Sequence, residues 1–275
     1  MQTWKIALPM YNIGATLSAD YERFLIAVIA ALQARGWREE IEIVHQIDDL
    51  ERFWLRSDLL FSQACGYPLT TSLRGRVRLL GTPVYNAAGC HGFYYRSLIV
   101  TNDAYGHRTP EKPLRALADF RGCSCAVNQS TSHSGMNVLR HTVAPFARAG
   151  QFFDKVRLSG SHLESLAMLQ RGEADLAAID CVTFAHIAHY FPEKITGLRV
   201  LQESLAAPGL PFIASLQLNQ AQSAMVMEAL EAVCKNDQIV APLRLVGLAR
   251  TRVEDYQAIT AMEEFAVALN YPRLA

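Results

Sequence analysis

The sequence lacks an excess of charge of either sign. Its 275 residues contain 26 Lys plus Arg and 26 Asp plus Glu, so the formal net charge at pH 7 is zero. No basic stripe or block of like charges is present, and nucleic acid is therefore not an expected partner. Apolar runs are also short: the run that begins at Phe24 ends before Gln33. Because a membrane-spanning helix needs about 20 apolar residues, the chain is not expected to cross a membrane itself.

Cysteine is scarce as well. The six cysteines are scattered and form no C-x-x-C pair, which argues against a disulfide scaffold. Cys65 and Cys90 both lie in glycine-rich segments and could pair in an oxidising compartment; the alternative is that the cysteines are buried thiols. No charged and apolar leader with a small-residue cleavage site opens the sequence, so either a cytoplasmic location or a leader outside this sequence is compatible with it.

Short apolar runs alternate with longer helical patterns along the chain. This alternation predicts an α/β fold in which mostly parallel sheets are flanked by helices. Strands are expected at residues 5–8, 41–45, 58–62, 77–82, 94–100, 124–127, 155–158, 175–179, 198–201 and 211–215. Helices are expected at residues 19–35, 48–56, 113–120, 136–148, 162–171, 183–190, 220–234 and 254–268.

Two segments, 101–112 and 192–198, have the composition of domain boundaries. We expect a discontinuous outer domain of residues 1–97 plus 198–275 and an inserted domain of residues 98–197. Hinge segments near 94–101 and 196–203 would join the two domains and close them around a ligand. This layout predicts a cleft between domains, where small-molecule sites are common, lined by the loops that follow parallel strands.

The segment 128–137, Asn-Gln-Ser-Thr-Ser-His-Ser-Gly-Met-Asn, joins a strand-like run to a helix-like segment. Serine and threonine at such a junction cap the helix by accepting hydrogen bonds from its first N–H groups. If the same hydroxyls and amides face a cleft, they form an uncharged anion-binding site at the positive end of the helix dipole. The segment alone is compatible with both interpretations.

Polar side chains also follow other strand-like runs. They include Tyr11, Gln63, Tyr67, Tyr95, Ser97, His162 and Asp180. All but Ser97 have a structural alternative: the tyrosines as core residues, Gln63 as a partner of loop backbone, His162 as a surface or first-turn helix residue, and Asp180 as a helix cap. His186 and His189 have the spacing of zinc ligands, but no carboxylate or cysteine accompanies them, so we expect a surface helix and no metal.

Several motifs of the sequence resemble, in their order and spacing, those of the phosphate, phosphite and phosphonate substrate-binding proteins of ABC importers. The resemblance extends from about Leu59 to Ser215. It is carried by Gly66-Tyr67-Pro68, Tyr95 with Ser97, Ser132-His133-Ser134-Gly135, Phe152-Phe153, Ser159-Gly160-Ser161-His162, Gly172-Glu173-Ala174-Asp175, and Ser204 with Pro208.

The resemblance implies a type II periplasmic-binding-protein fold and a site for a small anionic ligand. By position, Ser132, His133, Ser134 and the Gly135 amide would bind the oxyanion. His162 would add a donor and Asp180 would orient a hydroxyl or protonated acid group of the ligand. Several neutral donors suit a tetrahedral oxyanion. Tyr11, Gln63, Tyr67, Tyr95 and Ser97 complete the predicted site. The resemblance also implies an ABC permease as partner, a periplasmic location, a monomer, and neither cofactor nor catalytic residues.

Two positions depart from the family pattern. His133 occupies the middle of the family's Ser-Thr-Ser, where an imidazole could add charge at lower pH. Leu210 stands where binders of aminoalkylphosphonates carry an aspartate for the ligand's amine, so this ligand class is not expected.

Other functions remain open from the sequence. The main alternative is a cytosolic biosynthetic enzyme on the same fold that uses His162 and Asp180. A hydrolase built from Ser132 or Ser134 with these two residues is less favoured, because no Gly-x-Ser-x-Gly motif is present. A third option is a ligand-sensing module that passes its closure to a partner protein.

Overall fold

The structure is a computed structural model that describes residues 2–102 and 115–275. Its strands are β1 (Thr3–Ala7), β2 (Glu40–Ile43), β3 (Leu59–Gln63), β4 (Val77–Tyr85), β5 (Tyr94–Tyr95), β6 (Ser97–Asn102), β7 (Ser124–Val127), β8 (Lys155–Leu158), β9 (Leu176–Asp180), β10 (Leu198–Glu203), β11 (Ala207–Pro208), β12 (Phe212–Ser215) and β13 (Leu245–Ala249). Its α-helices are α1 (Gly14–Ala34), α2 (Leu50–Trp54), α3 (Gly66–Thr70), α4 (Val138–Val143), α5 (His162–Gln170), α6 (Cys181–Tyr190), α7 (Gln220–Val233), α8 (Asp237–Val240) and α9 (Gln257–Ala268).

The described residues form two compact units. Unit 1 takes its residues from Met1–Asn86, Cys90–Tyr94 and Pro208–Tyr256. Unit 2 takes its residues from Ala87–Gly89, Tyr95–Ala207 and Gln257–Ala275. The chain therefore passes from one unit to the other after Asn86, Gly89, Tyr94, Ala207 and Tyr256.

Unit 1 is built on a six-stranded mixed sheet. Its strand order is β13-β4-β12-β3-β1-β2. β1 pairs in parallel with β2 and β3, whereas β12 runs antiparallel to β3 and β4. All five residues of β3 are buried, as expected of a central strand that is covered on both faces. Helix α1 buries Leu17, Phe24 and Val28, which recur at helical spacing, and packs against α7.

Unit 2 is built on a five-stranded mixed sheet of order β10-β6-β9-β7-β8. β7 lies between β8 and β9 and is parallel to both. β6 is antiparallel to β9 and β10. The core of this unit includes Phe120, Leu139, Phe152 and Leu176, all nearly inaccessible to solvent. Because β7 and β8 are parallel neighbours, the loops that follow them lie at the same edge of the sheet.

The predicted α/β fold class is confirmed, with more antiparallel pairing than expected. β13, α3 and α8 were not expected from the sequence. The expected helix at 136–148 is divided into a π-helical turn (His133–Asn137), α4, and a 3₁₀ turn (Ala144–Phe146). The proposed boundary at 101–112 lies mostly outside the described residues. Only the end of the expected helix at 113–120 is described, as a 3₁₀ turn at Leu117–Phe120.

Helix α9 belongs to a different unit from the one that was expected. Residues 257–275 were expected in the outer domain, whereas they belong to unit 2 in the structure. The physical reason is a set of contacts with α4: Arg140 forms an ion pair with Glu263 at 3.0 Å and donates a hydrogen bond to the Pro272 carbonyl at 2.8 Å. Motion about the predicted hinges stays a prediction.

The cysteines match the buried-thiol alternative. All six lie in the described residues and none forms a disulfide; five are buried and Cys90 is half-buried. Burial raises the pKa of Cys234 to about 12, so its thiol is protonated at neutral pH. His189 is exposed as predicted, but His186 is only 1% exposed, so the surface prediction was wrong for His186. It lies on the inner face of α6, together with Val182 and Ile187.

Two properties of residues 2–102 and 115–275 concern possible partners. Within these ranges no helix is long and apolar enough to cross a membrane. The same ranges contain no group of three or more His, Cys, Asp or Glu side chains arranged to hold a metal ion.

Candidate functional site

The loop after β7 begins a continuous helical segment in unit 2. Ser132 is its N-cap: the Gly135 N–H donates to Ser132 Oγ at 3.0 Å. The Ser132 carbonyl accepts hydrogen bonds from the N–H groups of Met136 and Asn137. Capping is therefore one role of Ser132, and the Gly135 amide, which was expected to bind the anion, already has an acceptor. The Ser134 N–H has none among the described residues.

Ser134 connects this loop to the loop after β8. Its Oγ lies 2.9 Å from Nε2 of His162, the first residue of α5, and 3.5 Å from Ser132 Oγ. Backbone hydrogen bonds hold the two loops together: the Ser159 and Gly160 N–H groups donate to the carbonyls of Val127 and Asn128, each at 2.9 Å. The parallel pairing of β7 and β8 thus brings together a serine and a histidine that are 28 residues apart.

His162 is a neutral group at physiological pH. Burial lowers the pKa of its half-buried imidazole to about 4, and a hydrogen bond with the Ala178 backbone opposes part of this shift. The Ser134–His162 pair therefore carries no charge near pH 7. A neutral imidazole has one N–H and one lone pair, so Nε2 can either donate to Ser134 Oγ or accept from it.

Gly135 is required by the close approach of Asn128. A Cβ atom at position 135 would overlap Asn128 Oδ1 and lie only 2.9 Å from Asn128 Cγ. The carboxamide of Asn128 thus packs directly against the start of the helical segment, and the described residues provide no hydrogen-bond donor for its buried Oδ1. Asn128 was not identified as a site residue from the sequence. Its only signal was its position directly after a buried strand.

His133 lies behind the loop and is completely buried. Its Nδ1 is 3.2 Å from Asn137 Nδ2, and its ring centroid is 6.2 Å from that of Tyr95. Burial is the main cause that lowers the pKa of His133 to about 3, and the nearby His141 is a lesser one. The structure therefore does not support the expectation that His133 gains charge at mildly acidic pH.

Ser97 and Asp180 lie directly opposite each other on the antiparallel strands β6 and β9. Asp180 Oδ1 accepts hydrogen bonds from the N–H groups of Val182 (2.8 Å) and Thr183 (3.1 Å), so Asp180 caps α6, as its structural alternative predicted. The Ser97 N–H donates to Ser204 Oγ at 2.9 Å. The Ser97 hydroxyl is 1% exposed and has no hydrogen-bond partner in the described part of the chain.

Tyr11, Gln63 and Tyr67 belong to unit 1. The Tyr11 ring packs edge-on against Tyr85, with centroids 5.1 Å apart. Gln63 Nε2 donates to Tyr85 Oη and to the Leu210 carbonyl, both at 3.1 Å, so part of its role is to bond loop backbone. Tyr67 is half-buried in α3. Leu210 itself is buried and adds no charge to this part of unit 1.

Within unit 2, the structure therefore brings together five of the eleven predicted site residues. Ser132, Ser134, Gly135 and His162 lie in two adjacent loops, with His133 packed behind them. Their polar groups are neutral hydroxyls, amides and imidazoles, and the nearest helical amides are those of a first turn. Such a set of donors is suited to an oxyanion.

Comparison with known proteins identifies the family. The profile of the family described as "ABC transporter, phosphonate, periplasmic substrate-binding protein" matches residues 56–256. The chain belongs to this family. The predicted family and the predicted role as a substrate-binding protein of an ABC transporter are thereby confirmed.

Solved structures of other substrate-binding proteins share the fold. The binding protein component of an ABC phosphonate transporter from Pseudomonas aeruginosa has a TM-score of 0.77 at 15% identity, covering 98% of this chain and 88% of that one. A protein from Prochlorococcus marinus in complex with methylphosphonate has a TM-score of 0.74 at 15% identity, covering 98% and 99%. The alkanesulfonate-binding protein from Xanthomonas axonopodis pv. citri, bound to MOPS, has a TM-score of 0.60 at 14% identity, covering 98% and 94%. No curated protein sequence matches the chain significantly.

Proposed function

We propose that this phosphonate-family protein binds a small phosphonate or related phosphorus oxyanion through Ser132, Ser134 and His162 and delivers it to an ABC permease. The observation that carries the proposal is the hydrogen bond between Ser134 Oγ and His162 Nε2 beside the first turn of a helical segment. A periplasmic location and a monomeric state are part of the same proposal, and both are supported by the family.

The first turn supplies donors for the anion. The Ser134 N–H has no acceptor within the described residues, and the first N–H groups of a helix carry a partial positive charge. Ser132 Oγ accepts from Gly135, which leaves its own hydroxyl proton free to be donated to a ligand oxygen. We therefore assign two hydroxyls and one amide of this turn to the ligand's oxygens.

His162 orients the Ser134 hydroxyl without adding charge. Its ring is neutral near pH 7, and Nε2 contacts the hydroxyl of Ser134. When Nε2 carries the hydrogen, it donates to Ser134, and the Ser134 proton is then available to the ligand. Neutral donors of this kind bind an oxyanion by charge-assisted hydrogen bonds, in which the charge is on the ligand.

Ser97 and Asp180 are proposed as the acceptor side of the site. The buried Ser97 hydroxyl lies opposite Asp180 on the neighbouring strand. A carboxylate near a bound anion is favourable only if the ligand carries a proton for it, as a monoprotonated phosphonate does. The ligand-binding roles of Tyr11, Gln63, Tyr67 and Tyr95 stay predictions.

A thermal-shift screen tests the proposal. The purified chain is heated with methylphosphonate, phosphite, phosphate, sulfate, an alkanesulfonate or 2-aminoethylphosphonate. A ligand at about 100 times its Kd stabilises a protein by roughly 2.7 kcal/mol, which raises Tm measurably. We expect a shift with at least one phosphorus oxyanion, a smaller one with 2-aminoethylphosphonate, and none with sulfate. No shift with any phosphorus compound at millimolar concentration would overturn the proposal, and a shift with the sulfonate alone would overturn its phosphonate part.

Phosphorus NMR distinguishes a binder from the alternative enzyme. The ligand that gives the largest shift is incubated with the protein and its spectrum is recorded over hours. A binding protein leaves the phosphorus resonance of the free ligand unchanged. A new phosphorus species that forms in proportion to the protein concentration would favour the enzyme.

A further inference from the structure

Three buried polar side chains lie along the helical segment that begins at the anion-binding loop. His133 and Asn137 are 0% exposed, and Arg140 is 4% exposed. All three belong to the helical segment that starts at Ser132, at spacings of four and three residues, so they project from one side of it. A buried polar group raises the free energy of the folded state unless its hydrogen bonds are made. In this cluster, the donor and the acceptor of each hydrogen bond can be assigned.

The orientation of the Asn137 carboxamide is fixed by two partners. Its Oδ1 accepts a hydrogen bond from Arg140 Nη2 at 2.6 Å, and a guanidinium can only donate. Its Nδ2 donates to the Ile259 carbonyl of α9 at 3.1 Å, and a carbonyl can only accept. Both partners demand the same orientation, so oxygen and nitrogen cannot be exchanged without losing two hydrogen bonds.

This orientation determines which nitrogen of His133 carries hydrogen. Asn137 Nδ2 lies 3.2 Å from His133 Nδ1, and an NH₂ group can only donate. Nδ1 must therefore present its lone pair. A neutral imidazole has a single N–H, which is then on Nε2.

We infer that Asn137, held in place by Arg140, is a positioning residue that keeps His133 in the neutral Nε2–H tautomer, so that the ring offers a hydrogen-bond donor at Nε2. This tautomer is compatible with an anion bound nearby, because an N–H dipole attracts negative charge whereas a lone pair repels it. Only this consequence for the ligand rests on the proposed function.

The charges around His133 are arranged so that the ring stays neutral. On α4, Arg140 is paired with Glu263 of α9 at 3.0 Å, and His141 disfavours a charge on the ring. On the strand side, the Tyr95 ring lies near His133, with the two ring centroids 6.2 Å apart. Complete burial is the larger cause that lowers the pKa of His133.

Nitrogen-15 NMR of histidine-labelled protein tests the inference directly, since the two ring nitrogens of each tautomer differ in chemical shift. For His133 we expect a protonated Nε2 and an unprotonated Nδ1 between about pH 5 and pH 8. The isosteric variant Asn137→Asp retains an acceptor for Arg140 but cannot donate to Nδ1. It should move a hydrogen to Nδ1 and weaken methylphosphonate binding by about tenfold at pH 8, with recovery as the ring becomes charged at lower pH.

Asn219→Asp is the matched control, because Asn219 caps α7 in unit 1 and aspartate caps a helix equally well. It should leave the His133 spectrum and the affinity unchanged. A protonated Nδ1 in the wild type would overturn the inference, even if Asn137→Asp does not fold, and so would an unchanged His133 tautomer in a folded Asn137→Asp variant. Failure of the proposed function is a different result: methylphosphonate does not bind, while the wild-type spectrum is as expected.

Discussion

Ser134 Oγ lies 2.9 Å from His162 Nε2, and this contact joins the loop after β7 to the loop after β8. Neither residue is distinctive alone, because serine at a helix start is usually a cap and histidine in a first turn is usually exposed. The parallel pairing of β7 and β8 puts both loops at the same edge of the sheet in unit 2. The result is a neutral hydroxyl–imidazole pair beside the amides of a first helical turn.

Acidification should destabilise the protein through its buried histidines. The pKa of His162 is lowered to about 4 and that of His133 to about 3, so below about pH 6.5 the unfolded chain binds more protons than the folded one. The contribution is fully present above about pH 6.5 and is lost as pH falls through the folded pKa values. Urea unfolding between pH 7.5 and pH 4.5 should show a decreasing free energy of unfolding. His162→Gln should reduce this slope, whereas the same change at exposed His189 should not; equal slopes in both variants would contradict the assignment.

Gly135→Ala should disrupt the loop. The new Cβ overlaps the carboxamide of Asn128, so the side chain or the turn must move, at a cost of about 1–3 kcal/mol in the free energy of unfolding. Because the turn carries Ser132 and Ser134, affinity for methylphosphonate should also fall. Gly247→Ala in β13 is the control, since nothing lies within 4 Å of its added Cβ. A fully stable Gly135→Ala variant with unchanged affinity would show that Asn128 moves aside freely.

Ser97→Ala should separate binding from stability. The Ser97 hydroxyl is buried and has no hydrogen-bond partner in the described ranges, so its removal should change the free energy of unfolding by less than about 0.5 kcal/mol. Affinity for the oxyanion should fall several-fold if this hydroxyl contacts the ligand. Ser204→Ala is the contrasting variant: Ser204 Oγ accepts from the Ser97 N–H and donates to the Leu205 carbonyl, so its loss should cost about 1–3 kcal/mol. Unchanged affinity in Ser97→Ala would remove Ser97 from the site.

Asp180 combines a cap with a proposed ligand contact, and two substitutions distinguish them. Asp180→Ala removes the acceptor for the Val182 and Thr183 N–H groups and should cost about 1 kcal/mol, as Asp49→Ala should at the start of α2. Asp180→Asn keeps a capping oxygen and should retain stability. If the Asp180 carboxylate accepts a hydrogen bond from a protonated oxygen of the ligand, Asp180→Asn should still weaken ligand binding. Wild-type affinity in Asp180→Asn would leave Asp180 with the capping role alone.

Much of the fold and part of the site could be predicted from the sequence. The alternation of apolar runs predicted the α/β class, and the order of the motifs predicted the family. β13 was not predicted, since Leu245–Ala249 is mostly half-exposed and gives only a weak strand pattern. The position of α9 in unit 2 depends on the Arg140–Glu263 ion pair, a contact across 123 residues that no local pattern reveals.

The site residues also divide into those that the sequence indicated and those that depend on tertiary contacts. Ser132, Ser134 and His162 were proposed as site residues by position, from the family resemblance, and the hydroxyls and imidazole that follow apolar runs were the local signal. The buried state of His133 and the role of Asn137 were not, because both depend on what packs behind the loop. His186 was expected at the surface for the same reason: its position on the inner face of α6 is a tertiary property.

Isothermal titration of methylphosphonate into the wild type, Ser134→Ala and His162→Ala tests the central claim most directly. The Ser134–His162 pair at the first helical turn predicts saturable one-site binding to the wild type, weakened by about tenfold or more in each variant because a hydrogen bond to a charged group is lost. His189→Ala should bind as the wild type does. Wild-type affinity in both Ser134→Ala and His162→Ala would contradict the account, because the anion would then be held elsewhere.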